Sequence, residues 1–202
     1  MSAFEGKDVS RETFDQLTQF AELVERWTTK INLISKPSVP HIWERHINDS
    51  VQLYRHASEA DHWVDLGSGG GFPAIVLAIL SKQDGRDTKF TMVESDQRKC
   101  VFLRTAVREL GLNGEVLNKR IEEIPALEAD ILSARALSDL SKLLEYADLH
   151  LSKDGFALFP KGENWKAEDA DAKTSWHYTC EPIPSLTNPA AAILRIKDIS
   201  HV

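Results

Sequence analysis

The stretch Val64-Asp65-Leu66-Gly67-Ser68-Gly69-Gly70-Gly71-Phe72-Pro73 constrains the fold of this chain more than any other part of it. It reads as the end of a buried strand, a glycine-rich turn and the entry to a helix. Glycine lacks the Cβ that penalises positive φ, so the backbone can turn tightly and come close to a ligand. Pro73 suits the first position of the following helix, where a missing N–H costs nothing. Asp65 falls at the carboxyl end of the strand, where open α/β sheets place their ligands. The pattern implies a loop for a small-molecule cofactor.

From His62 onward, short apolar stretches alternate with amphipathic ones, which indicates parallel strands joined by helices. Strands are expected at 62–66, 89–94, 115–118, 130–134 and 155–160, and helices at 72–81, 97–110 and 139–150. Gly111 is placed to end the second of these helices, and Asp139 to cap the third. In the tail, Tyr178-Thr179-Cys180 and the run Ala191 to Ile196 suit two antiparallel strands that close the sheet, with Pro182, Pro184 and Pro189 between them. Upstream, Ser10 fits an N-cap with Glu12 in the first turn. Phe14, Leu17, Ala21, Val24 and Ile31 recur at helical spacing, so a helix is expected over 10–34. A second is expected over about 40–57, with Trp43, Ile47, Val51 and Tyr54 on one face and Pro37 and Pro40 at the break. The chain thus divides into an N-terminal helical extension, 1–60, and one α/β unit, 61–202.

Bulk properties exclude several classes. The 202 residues suffice for one ordinary domain with a short extension, and 42% hydrophobic with 27% charged residues is a globular balance. The longest apolar run, Phe72 to Leu80, is too short to cross a membrane. Residues 1–20 lack the basic-then-apolar order of a secretory leader. Cys100 and Cys180 cannot build a disulfide framework, so reduced thiols and a cytoplasmic location are expected. His41, His46, His56 and His62 lack metal-ligand spacing and no Cys-x-x-Cys occurs, so no metal is expected. Nothing demands more than a monomer. The net charge of −7 disfavours a nucleic-acid partner unless the basic residues cluster on one face.

On the residues alone, two cofactors compete for the loop. The dinucleotide fingerprint G-x-G-x-x-G/A can be matched from Gly69 to Ala74, but fails from Gly67 because Phe72 takes the last position. A methyl donor, S-adenosylmethionine, wants an acid near the strand end and a Gly-x-Gly-x-Gly turn, which Asp65, Gly67, Gly69 and Gly71 supply. Either cofactor needs an acid at the end of the second strand for ribose hydroxyls. Glu94, closing Phe90-Thr91-Met92-Val93-Glu94, fills that place.

The flanking motifs are more specific. Asn32-Leu33-Ile34-Ser35, Arg45-His46-Ile47-Asn48-Asp49-Ser50, the glycine loop, Glu94-Ser95 with Arg98-Lys99 and Phe102-Leu103-Arg104 follow one another in order. Arg120-Ile121-Glu122, Ser133-Ala134-Arg135-Ala136 and Lys161-Gly162 continue the series. Over about residues 30–165 the chain resembles the bacterial small-subunit ribosomal RNA guanine-N7 methyltransferase family, also known as the glucose-inhibited division protein B family. It departs from that pattern at Ala74, where a glycine is expected, and at Gly70, where proline is common. The resemblance implies a Rossmann-like class I S-adenosylmethionine-dependent methyltransferase fold, with a mostly parallel seven-stranded sheet and an N-terminal helical extension. It implies cofactor contacts from Gly67, Gly69, Phe72, Glu94, Ile121, Glu122 and Arg135. Arg135 is also the candidate for positioning the substrate; the residues alone equally allow it an ion pair with Asp65, Glu94 or Asp139. A solvated surface carboxylate is the alternative for Glu122.

The implied substrate is a guanine in the 530 loop of 16S rRNA, within the 30S ribosomal subunit. Guanine N7 already carries a lone pair on the major-groove edge, so attack on a sulfonium methyl needs no general base. Holding nitrogen, methyl and sulfur in line is enough. Arg45, His46, Arg98, Arg104 and Lys161 are the RNA-binding candidates, extended by Arg108 and Lys166, with Lys99 turned toward the site. Arg45 and Asp49, at i and i+4, could equally pair along their helix. Two other functions fit the residues: a small-molecule methyltransferase, which the acidic charge favours, and a non-catalytic, cofactor-sensing ribosome-assembly factor.

Overall fold

Seven strands, β1 (His62–Leu66), β2 (Lys89–Glu94), β3 (Gly114–Asn118), β4 (Ala129–Ala134), β5 (Leu151–Lys161), β6 (Trp176–Pro184) and β7 (Ala192–His201), form one sheet ordered β3-β2-β1-β4-β5-β7-β6. This computed structural model describes residues 9–57 and 59–202. Expectations that fell on residues 1–8 and on 58 lie outside the described residues. The first five strands are parallel, and β7 runs antiparallel to both β5 and β6. After β3 the chain crosses back to pair β4 with β1, so the carboxyl ends of β1 and β4 flank the switch point where such sheets bind ligands.

Alternate side chains of β1 enter opposite cores, as the two-residue period of a strand requires. Trp63 joins a core with α1 (Arg11–Thr28), α2 (Asn48–Tyr54), α3 (Ala74–Gln83) and α4 (Gln97–Leu110). Val64 and Leu66 join the opposite core, with α5 (Leu140–His150) and α6 (Trp165–Ala172). α3 carries an almost unbroken apolar run, and Ala74 to Ser81 are all buried between its neighbours and the sheet. The capping expectations hold: Ser10 Oγ accepts from Thr13 N at 3.1 Å, Asp139 Oδ1 from Lys142 N at 2.9 Å, and Gly111 ends α4 at φ +59.

Several boundaries differ from the sequence expectations. α1 stops at Thr28 rather than 34, because Thr29 Oγ1 donates to Arg26 O at 2.8 Å and competes with helical pairing. Phe14 is 46% exposed and stacks on Trp43 with ring centroids 5.2 Å apart, so it lies at the rim of the apolar stripe and not within it. The helix expected over 40–57 is three pieces: a 3₁₀ turn over Lys36–His41 that contains Pro40, a π turn over Trp43–Ile47, and α2. Pro73 caps α3 and does not open it. β5 begins at Leu151 and both tail strands are longer than expected. Pro182 and Pro184 lie inside β6, which tolerates them as the edge of the sheet. α6 has little apolar periodicity, with Ala172 its one buried residue, and left no signal in the sequence.

Candidate active site

Gly67 N and Ser68 N donate to Val93 O at 2.8 and 3.1 Å, which ties the turn after β1 to the end of β2. Gly67 (φ +67) and Gly71 (φ +82) hold left-handed backbone, and a Cβ on either would stand 2.7 Å from Leu137 Cδ1 or Ile75 Cγ1. Gly70 is tightly covered: a Cβ there would lie 3.0 Å from Leu33 O, where the chain after α1 closes over the loop. Ala74, the other departure from the family pattern, is fully buried in the first turn of α3.

Asp65 is 1% exposed at the end of β1. Its Oδ1 accepts from Ser133 Oγ at 2.6 Å, and that hydroxyl accepts from Trp63 Nε1 at 2.9 Å. Its Oδ2 is buried without a hydrogen-bond partner among the described residues. Burial pushes the carboxyl up to about 6, opposed by the Ser133 hydrogen bond and the Arg135 charge. A buried carboxylate oxygen left open beside a glycine cradle fits the ammonium of a bound amino-acid group. Glu94, buried at the end of β2, accepts from Gly69 N at 3.0 Å through Oε2 and from Asp96 N at 2.8 Å through Oε1. Each oxygen keeps lone-pair capacity, which fits a ribose diol. Ile121 is buried in the 3₁₀ turn after β3, next to Glu122, which is exposed and accepts from Tyr146 Oη.

Arg135 follows β4 and faces the N-terminal segment. Nη1 donates to Arg45 O at 3.2 Å and pairs with Asp49 Oδ2 at 3.3 Å, while Nη2 donates to His46 Nδ1 at 2.8 Å. The guanidinium also stands over the Phe72 ring, 5.4 Å from its centroid, and the His46 ring lies 5.0 Å from the same ring. Arg135 is thus ion-paired, but with Asp49 and not with Asp65, Glu94 or Asp139. Asp49 is correspondingly engaged away from Arg45. The π turn over Trp43–Ile47 inserts an extra residue into the winding, so the regular i, i+4 relation between Arg45 and Asp49 does not form. Burial, then Arg135 and Arg45, draw the His46 pKa down to about 4, so the ring is neutral at physiological pH. Arginine has only donors, so Nδ1 must accept and the imidazole proton resides on Nε2.

Beyond Arg135 opens a cleft of about 910 Å³, whose lining includes Arg45, His46, Asp49, Arg135, Lys161 and Glu168. Lys161 Nζ is 2.6 Å from Glu168 Oε2 and donates to Ser138 O at 3.0 Å. Of the remaining RNA candidates, Arg98 pairs with Asp96 at 3.2 Å and Arg104 Nη2 donates to Val116 O at 3.0 Å; neither lines the cleft. Sequence reasoning missed two parts of the site. Ser133 holds Asp65 from a neighbouring strand, which no linear pattern reveals. The β6–β7 loop also walls the cleft through Ser185, Thr187 and Asn188, and its only signal was a proline-rich stretch.

A glycine cradle between the ends of β1 and β2, with Asp65 and Glu94 at the strand ends and Arg135 lining a neighbouring cleft over the buried Phe72, defines a Rossmann-like class I S-adenosylmethionine-dependent methyltransferase. Solved structures share this fold. A SAM-dependent methyltransferase from Aquifex aeolicus superposes with a TM-score of 0.59 over 78% of this chain and 93% of that one, at 17% identity. A ribosomal protein L11 methylase from Lactobacillus delbrueckii subsp. bulgaricus gives 0.58 over 76% and 78%, at 16% identity. More specifically, the chain belongs to the family described as rRNA small subunit methyltransferase G, whose model matches residues 13–188. Relatives named ribosomal RNA small subunit methyltransferase G are 51% identical in Ruegeria pomeroyi, over 96% of both chains. In Cereibacter sphaeroides the identity is 50%, over 96% of this chain and 95% of the relative. The protein is therefore an enzyme that uses S-adenosylmethionine to methylate small-subunit ribosomal RNA. Among the described residues no helix is long and apolar enough to cross a membrane, and no cluster of side chains could hold a metal ion.

Proposed function

We propose that the enzyme transfers the methyl group to N7 of a guanine in the 530 loop of 16S rRNA, acting as a cytoplasmic monomer on the 30S subunit. The state of the bases in the cleft carries this reading. Two of its three carboxylates face a cation, Asp49 3.3 Å from Arg135 and Glu168 2.6 Å from Lys161, while the exposed Glu44 lies 3.6 Å from the His41 ring. The Nδ1 lone pair of His46 is taken by Arg135. A cleft in which Asp49, Glu168 and His46 Nδ1 are all occupied suits a nucleophile that needs no proton removed, and N7 of guanine is one.

The roles follow from position. Bound against Asp65, the glycine turn and Glu94, S-adenosylmethionine presents an electrophilic sulfonium methyl. Gly67, Gly69, Phe72, Glu94, Ile121 and Glu122 hold the donor, and Arg135 with the Phe72 ring frames the passage between donor and cleft. Arg45 has no side-chain partner among the described residues and lines the cleft, so it is the cation free to meet a nucleotide phosphate. His46 sits beside it, its Nε2 buried and without a partner among the described residues. Lys161, Arg98 and Arg104 are already tied within the fold and contribute field more than contact. A target base must leave its stack to enter such a cleft. Residues 1–60 act as the helical extension that supplies Arg45, His46 and Asp49 to the α/β unit over 61–202.

The test is transfer of labelled methyl to 30S subunits from cells lacking the enzyme, with protein-free 16S rRNA and free nucleosides in parallel. Label on 30S subunits is expected. Label confined to a free small molecule, or cofactor binding with no transfer, would replace this reading by one of the two alternatives.

A further inference from the structure

The loop 185–191 hangs from the far edge of the sheet between β6 and β7, yet it closes one side of the cleft that Arg135 enters. Its attachment to the body is polar. Gln52, on α2 and only 3% exposed, uses its side-chain amide on both partners. Nε2 donates to Asp49 Oδ1 at 2.8 Å and reaches Ser185 Oγ at 3.3 Å, while Oε1 accepts from Leu186 N at 2.9 Å. Thr187 Oγ1 donates to the same Asp49 Oδ1 at 2.9 Å. The other oxygen of Asp49 carries Arg135. One chain of hydrogen bonds therefore runs from the Leu186 amide, through Gln52 and Asp49, to the guanidinium that stands over Phe72.

Burial does not account for this attachment. Leu186 is 64% exposed, so anchoring the loop hides almost no apolar surface. The loop also organises its own turn, with Ser185 Oγ accepting from Thr187 N and Asn188 N, both at 3.3 Å. What the buried glutamine adds is a fixed distance between the loop and the carboxylate that aims Arg135.

We propose that Gln52 is a positioning residue for methyl transfer: it latches loop 185–191 as a wall of the nucleotide cleft and sets the Asp49–Arg135 pair in one geometry. The assignment rests on the reading of the cleft as the seat of the target nucleotide. Gln52 touches neither the glycine turn nor Glu94, so the donor site should be indifferent to it.

Q52L, which keeps the volume and removes both hydrogen-bonding functions, and T187V, an exposed and milder variant, are compared with the unaltered enzyme on 30S subunits. Loss of a buried hydrogen-bond pair predicts a kcat/KM lower by about tenfold for Q52L, with a smaller fall for T187V. The dissociation constant for S-adenosylmethionine should stay within about twofold. In an R135K background Q52L should add little, because both act through one pair. A kcat/KM equal to that of the unaltered enzyme at a temperature where Q52L is fully folded, or additive losses in the double variant, overturns the proposal. Amide hydrogen exchange gives a readout free of activity: Leu186 and Thr187 should exchange at least about tenfold faster in Q52L. Unchanged exchange overturns the latch. Failure of the unaltered enzyme to methylate 30S subunits instead overturns the substrate reading, and exchange still decides the latch.

Discussion

Replacing Asp65 by Asn isolates what the cofactor site costs the fold. The carboxyl is fully buried, and its pKa stands near 6 against an ordinary 3.8. The folded state therefore binds the proton more tightly than the unfolded chain, and stability falls as pH rises from 3.8 to 6. At 1.36 kcal/mol per unit the complete penalty is about 3 kcal/mol, and about 2 kcal/mol of it accrues between pH 4.5 and 7.5. Asn keeps an acceptor for Ser133 Oγ, but its amide hydrogens occupy the place of Oδ2, where no partner stands, which offsets about 1–2 kcal/mol. D65N is then more stable than the unaltered protein by about 1–2 kcal/mol at pH 7.5 and about level with it at pH 4.5. For a chain of this length 1 kcal/mol moves the melting temperature by about 2–4 °C, so the gap between the two proteins should change by about 4–8 °C across that range. Thermal melts of both proteins at the two pH values measure it, and calorimetric titration should show S-adenosylmethionine binding lost in the variant. A stability difference that is the same at both pH values would refute the argument that a buried, unpaired carboxylate strains this site.

Three other substitutions read separate parts of the account. Gly70→Ala brings a Cβ to 3.0 Å from the Leu33 carbonyl, so the backbone there must give by a few tenths of an ångström; a loss of about 1–3 kcal/mol is expected in urea denaturation. Glu94→Ala removes the acceptor of Gly69 N and the ribose partner, so affinity for S-adenosylmethionine should fall by about 1.5–3 kcal/mol, read by calorimetry. Asp49→Ala leaves the Arg135 guanidinium, 18% exposed, without its carboxylate; stability should drop by about 3 kcal/mol. A second change, Arg135→Leu, should recover part of that loss in the double variant, because the uncompensated charge goes with it.

The sheet was legible because its strands carry the parallel-sheet signature of apolar stretches separated by amphipathic helices. Cap residues Ser10 and Asp139 and the terminal Gly111 fixed helix ends by hydrogen bonds that act within a few residues. The N-terminal segment was not legible, because Pro40 and the π turn over Trp43–Ile47 break the helical period on which the expectation of 40–57 rested. That same irregularity turns Arg45 and His46 toward Arg135 and leaves Asp49 free to pair with it. Asp65 and Glu94 could be named from their places at strand ends. The roles of Ser133, Gln52 and Thr187 could not, since these residues act across 68 residues or more of chain and only the fold brings the partners together. Gly70 shows the reverse case, a departure from a motif that becomes intelligible once Leu33 is seen above it.

The proposed reaction marks one atom of one base. Reductive aniline cleavage breaks RNA at N7-methylated guanosine, and applied to 16S rRNA from 30S subunits incubated with the enzyme and S-adenosylmethionine it reads that atom directly. One new scission, at a guanine in the 530 loop and dependent on the cofactor, is the predicted result. Methyl incorporation without scission, or scission elsewhere in the RNA, would contradict it.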